Sequence, residues 1–171
     1  MTVPRFEEEY AEIPLSAAAS AKLADIAASV TADVGALLTT VSLWRPETRD
    51  LVRVFTTMPE LYRVGGISSE LGEEWLQHCV VHQESFLASE QEAIDSDAFE
   101  HQDVLGALNL GAAINAVIVD NGQFLGCLNL LDVAGAYSEP SVRRAETYAA
   151  QLVETLAAIS GRATPSRAWR R

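Results

Sequence analysis

Apolar residues recur along this chain with two different periods. Between Ala17 and Thr31 they fall three and four apart, at Ala19, Leu23, Ile26, Ala27 and Val30, which is the stripe of an amphipathic helix. Ser16 stands where an N-cap belongs and Gly35 where such a helix stops. Leu37 to Trp44 and Leu51 to Thr57 then read as strands, joined by the polar turn Arg45 to Asp50 with its Pro46. Gly65-Gly66 breaks the chain, Glu73 to Gln83 reads as a helix bearing Trp75, Leu76, Cys79 and Val80, and Ser85 to Ser89 as a short strand. Two long apolar runs, Gly111 to Val119 and Phe124 to Leu130, flank Asp120-Asn121-Gly122, so they predict a tight hairpin. Ser138 and Pro140 open a last helix, striped by Val142, Ala145, Ala149, Leu152, Leu156 and Ile159.

This pattern divides the 171 residues into an acidic, proline-containing arm (1–15), one domain (16–161) and a basic tail (162–171) that is expected to be disordered. A formal net charge of −12 argues against a phosphate-backbone binder, which needs a basic face, and leaves small molecules or basic protein surfaces as partners. No apolar stretch is long enough to span a membrane, and the first residues lack the apolar run of a signal peptide. A cytoplasmic protein with two reduced thiols, Cys79 and Cys127, is the expectation.

The return strand Gly126-Cys127-Leu128-Asn129-Leu130, the Tyr137-Ser138 that opens the final helix, and the helix-plus-strand Trp75 to Ser89 together resemble the GAF domain, a small sensory module. The order helix, hairpin, helix, short strand, variable loop, hairpin, helix is similar to that family over roughly Ser16 to Gly161. The resemblance implies an α/β (α+β) fold, with a central antiparallel sheet, the terminal helices on one face and a ligand pocket on the other. A last hairpin apolar on both sides of its pleat is what a sheet covered on both faces requires.

The variable segment Glu90 to Leu110 concentrates Asp95, Asp97, Phe99 and His101, and the resemblance makes it the pocket wall. The alternative is a solvated acidic loop. His101 would be the axial ligand if the domain held haem, the one cofactor the sequence raises; a loop histidine is the plainer reading. His78 and His82 share a helix face at i, i+4, but two imidazoles are half a metal site, so both are taken as pocket-lining residues and no metal is expected. Asn115 sits among Ala, Ile and Val, and a buried amide must find partners. It shares a face with Asn129 if the turn has three residues, and the two point oppositely if it has two. Trp44, Phe55 and Tyr62 supply aromatic surface for core packing or for stacking on a planar ligand.

These features point to a sensory domain that binds a small molecule and acts in trans or as a homodimer through its terminal helices, with a protein partner also open. An enzyme of the same fold is the rival. Free methionine-(R)-sulfoxide reductases in this family keep their cysteines in and before the segment leading to the last hairpin, where Glu90 to Asn115 has none. The cyclic-nucleotide pattern lacks its Asn-Lys, and bilin attachment lacks a cysteine in the variable loop.

Overall fold

The computed structural model describes residues 10–69, 71–88 and 110–161. Helix α1 (Ala17–Asp33) starts where Ser16 Oγ accepts the Ala19 N–H at 3.0 Å, and it buries Leu23, Ile26, Ala27 and Val30. The strands follow as β1 (Leu38–Arg45), β2 (Asp50–Thr56) and the two-residue β3 (Ile67–Ser68). A single turn α2 (Glu73–Trp75) continues directly as a π-helix over Leu76–Val81. The chain returns through β4 (Phe86–Ala88), the long hairpin β5 (Ala112–Asp120) and β6 (Gln123–Asp132), and two helices, α3 (Glu139–Ala150) and α4 (Val153–Ser160).

The six strands form one antiparallel sheet in the order β3-β2-β1-β6-β5-β4. On one face Val41, Leu43, Val54, Ile114, Ile118, Leu125, Leu128 and Leu130 pack against the inward residues of α1, α3 and α4. Each fully buried leucine in that layer contributes about 2 kcal/mol by removal from water. Tyr148 Oη donates to Asp33 Oδ2 at 2.7 Å and ties α3 to α1. Among the described residues no helix is long and apolar enough to cross a membrane.

Two bulges decide which side chains reach the opposite face. In β6, Val119 pairs with Phe124 but Ile118 pairs with Gly126, so Leu125 is the extra residue. In β2, Val41 pairs with Phe55 and Ser42 with Arg53, which makes Val54 the extra one. Leu125 and Val54 both end in the helix-side core, because a bulge lets two consecutive residues lean to one side. The β6 bulge needs its glycine. Gly126 has φ +156, and a Cβ there would sit 2.0 Å from the Ser42 carbonyl oxygen and 2.9 Å from Leu156 Cδ2.

The last helical segment is one stripe but two helices. Gln151 and Leu152 donate their N–H groups three residues back, to Tyr148 and Ala149, tightening the turn between α3 and α4. Thr147 Oγ1 donates to the Arg144 carbonyl at 2.6 Å, a back-bond that draws a helical carbonyl out of line. The stripe survives the break, since Val142, Ala145, Ala149, Leu152 and Leu156 are all buried.

Candidate functional site

The face away from the terminal helices is banded. At one end Leu38, Ala88, Leu110, Ala113 and Leu131 cluster with Met58, Tyr62 and Phe86. At the other, Trp44, Leu51, Phe124 and Cys127 lie under Trp75 and Cys79 of the helical cover. Between these apolar bands runs a polar row. Strand alternation produces it: Thr40 and Ser42 on β1, Asn129 on β6 and Asn115 on β5 fall on one side of the pleat at matching register.

The row is wired in sequence. Trp75 Nε1 donates to Asn115 Oδ1 at 3.0 Å, and Asn115 Nδ2 donates to Asn129 Oδ1 at 2.8 Å. Asn129 Nδ2 then donates to Thr40 Oγ1 at 3.0 Å and to Ser42 Oγ at 3.2 Å. Indole can only donate, so Trp75 fixes which way both amides point. All five side chains are buried.

The row continues onto β2, where Arg53 stands opposite Ser42 and Thr56 opposite Thr40. Arg53 is 5% exposed; its guanidinium lies 4.3 Å over the Tyr62 ring and Nη1 donates to the Arg63 carbonyl at 2.7 Å.

The two thiols of the opposite band are poor nucleophiles. Burial pushes Cys79 up to about 12, and burial together with the neighbouring Cys79 pushes Cys127 well above the ordinary thiol range. Neither ionises near neutrality, which removes the thiolate that nucleophilic or redox chemistry needs.

The residues singled out in the sequence separate on the structure. Asn115 occupies the centre of the polar row, and Tyr62 lies beneath Arg53. Trp44 borders a cleft of about 480 Å³ with Pro46, Val80, Gln83, Gly122 and Phe124, at the hairpin end of the sheet. Phe55 does not join them. The Val54 bulge turns it to the helix-side core. His78 sits on the π-helix with Nε2 donating to the Ser85 carbonyl at 2.7 Å and its ring edge-on to Phe86, whereas His82 caps that helix and is exposed. Among the described residues no group of three potential metal ligands converges. Asp95, Asp97, Phe99 and His101 lie outside the described residues.

Thr40, Ser42, Arg53, Thr56 and Trp75 were not singled out as ligand-binding candidates. For Thr40 and Ser42 the signal was present: polar residues at period two in a strand whose opposite side is apolar, within a sheet covered on both faces.

No family model matches the sequence, and no curated protein matches it. Solved structures match its fold. The GAF domain/HD domain protein from Geobacter sulfurreducens superposes with a TM-score of 0.66 at 11% identity, over 83% of this chain and 94% of that one. The GAF-B domain of DevS from Mycobacterium smegmatis gives a TM-score of 0.59 at 15% identity, over 84% and 96%. Free methionine-R-sulfoxide reductase from Neisseria meningitidis gives 0.64 at 15% identity, over 84% and 80%. The chain has the GAF fold.

Proposed function

We propose that this GAF-fold chain is a sensory domain that binds a small molecule on the sheet face opposite its terminal helices and passes its state to another protein or through a dimer. The observation that carries the reading is the buried polar row from Trp75 to Thr40 and Ser42, set between two apolar bands. A few fixed hydrogen-bonding groups framed by apolar and aromatic side chains are the usual make-up of a small-molecule site. The high thiol pKa values favour binding over cysteine chemistry.

The helix side supports self-association. An open groove of about 1020 Å³ runs between α1 and α4, lined by Ala18, Ala19, Lys22, Glu154 and Ala158 among others. Small side chains let a two-fold copy approach closely, and Lys22 of one copy has Glu154 and Asp120 of the other as acidic groups to pair with.

Native mass spectrometry and the absorption spectrum of the purified protein test the binding reading. A retained mass that is released on denaturation is expected, and the spectrum distinguishes haem, flavin or bilin from a colourless ligand. No retained mass, together with no rise in melting temperature against a metabolite panel, would overturn it.

A further inference from the structure

We infer that residues 10–16 form a releasable strap, through which the loop at the Tyr62 end of the sheet face controls the first turn of α1 and with it the edge of the α1–α4 groove. This deepens the sensory reading above and rests on it.

The strap has the alternation of an extended chain. Ala11, Ile13 and Leu15 are half-buried, whereas Tyr10, Glu12, Pro14 and Ser16 are exposed. Ile13 and Leu15 pack against the helix-side core. Pro14 fixes its own φ and restricts the residue before it to extended backbone, so the segment has little slack in which a displacement could be lost.

Its first residues are fastened to the loop that follows β2. Tyr10 pairs antiparallel with Gly66, the Ala11 N–H donates to the Gly65 carbonyl at 2.9 Å, and the Arg63 guanidinium lies 4.1 Å over the Tyr10 ring. Gly65 has φ +91, and a Cβ there would sit 2.7 Å from the Ala11 carbonyl oxygen, so loop and strap meet backbone to backbone. The same loop is fastened to the sheet face. Tyr62 packs against the Leu38–Leu131 band, the Arg53 side chain donates to the Arg63 carbonyl, and the Arg53 N–H donates to the Gly66 carbonyl at 2.9 Å. Of two neighbouring residues, Tyr62 therefore serves the face and Arg63 the strap.

The last residue of the strap is the cap of α1. Ser16 Oγ accepts the Ala19 N–H, and Ser16, Ala18 and Ala19 line the α1–α4 groove. The fastening is weak enough to open by itself. Tyr10 is 45% exposed, and edge contacts of this kind open at a small fraction of the global unfolding free energy. An occupant that displaces Tyr62 moves Arg63 and Gly65 with it, releases the strap, and unsettles a helix cap a few residues further on.

Amide exchange of the full chain followed by NMR tests the coupling, read at Ala11, at Ala19 and, as control, at Leu128 of the central strand β6. Arg63→Ala removes the cation over Tyr10 while keeping the carbonyl that Arg53 uses, and Gly65→Ala drives the Ala11 carbonyl away. Ala11 exchange is expected to quicken about threefold in the first and roughly tenfold in the second. Ala19 is expected to follow by about twofold, with Leu128 unchanged. If Gly65→Ala also quickens Leu128, the milder Arg63→Ala decides. Faster exchange at Ala11 with none at Ala19 would overturn the coupling and leave the binding and dimer readings standing. Unchanged Ala11 exchange in both variants, or equal quickening of all three amides in both, would overturn the strap itself. A monomer in sedimentation or an empty native mass spectrum, with Ala19 still following Ala11, defeats the reading above and leaves the strap.

Discussion

Asn115 and Asn129 face each other across the last hairpin, with the amide nitrogen of the first donating to the amide oxygen of the second at 2.8 Å. The turn between them has two residues, Asn121 (φ 50) and Gly122 (φ 76), the left-handed pair that a tight hairpin needs. With that turn alone the two asparagines would project to opposite faces. Leu125, bulged out of the ladder, shifts the register by one and brings them together. The polar row therefore depends on a bulge ten residues from one of its members and four from the other.

Gly126 anchors that bulge, so Gly126→Ala is expected to destabilise the protein by about 3 kcal/mol or more. The added methyl meets the Ser42 carbonyl oxygen, which belongs to the central strand and cannot swing away as a side chain would. Urea denaturation of the two proteins measures the difference. A loss under 1 kcal/mol would mean that β1 and β6 approach less closely than described.

Trp75→Phe keeps the ring's packing but removes the indole donor, leaving Asn115 Oδ1 buried without its bond. A loss of about 1–3 kcal/mol is expected. Asn129→Ala breaks three bonds of the same row, and the double variant is expected to cost less than the sum of the two, because both act on one network. Strict additivity in a denaturation cycle would show that the row is not coupled.

The buried thiols make stability depend on alkaline pH. An unfolded cysteine ionises near the ordinary value of 9.0, whereas Cys79 in the fold holds its proton up to about 12. Above pH 9 the unfolded chain therefore loses a proton that the folded chain retains, and stability falls as pH rises towards 12. The fall is expected to be shallower in Cys79→Ala. A thiol reagent at pH 8 should label neither cysteine before unfolding; rapid labelling of the folded protein would contradict their burial.

The helix-side groove predicts a two-chain species in sedimentation at micromolar concentration. Ala158→Glu adds a third carboxylate to a groove that already holds Glu154 and Asp120, and is expected to yield a monomer. A monomer in the unsubstituted protein would refute the dimer, as would a dimer that Ala158→Glu leaves intact.

Much of this architecture was legible because the signals were local and redundant. The α1 stripe, the Asn-Gly turn and the Ser-Glu-Pro opening of α3 each name their element from adjacent residues. Bulges are harder. Gly126 within a strand marks a place where one can occur, but turn length and bulge together set register, and the sequence left two registers for Asn115 and Asn129. Phe55, open in the sequence between core packing and ligand stacking, packs on the helix side for the same reason, by one inserted residue at Val54. The π-helix of Leu76–Val81 carries the apolar spacing of an ordinary helix, so the wider turn leaves no compositional trace. Arg53 looks like the solvent-facing member of an alternating strand until the cover on that side is known.

Trp75 closes the polar row from the helical cover, and it is 3% exposed with its N–H committed to an amide two strands away from the hydroxyl pair. A change at Thr40 or Ser42 reaches its indole through two amides held end to end. The emission of a buried indole follows the polarity and hydrogen bonding of its surroundings, so this residue is a gauge that the fold itself has installed. Any disturbance of the row can be followed by light, with no label added and no knowledge of what caused it.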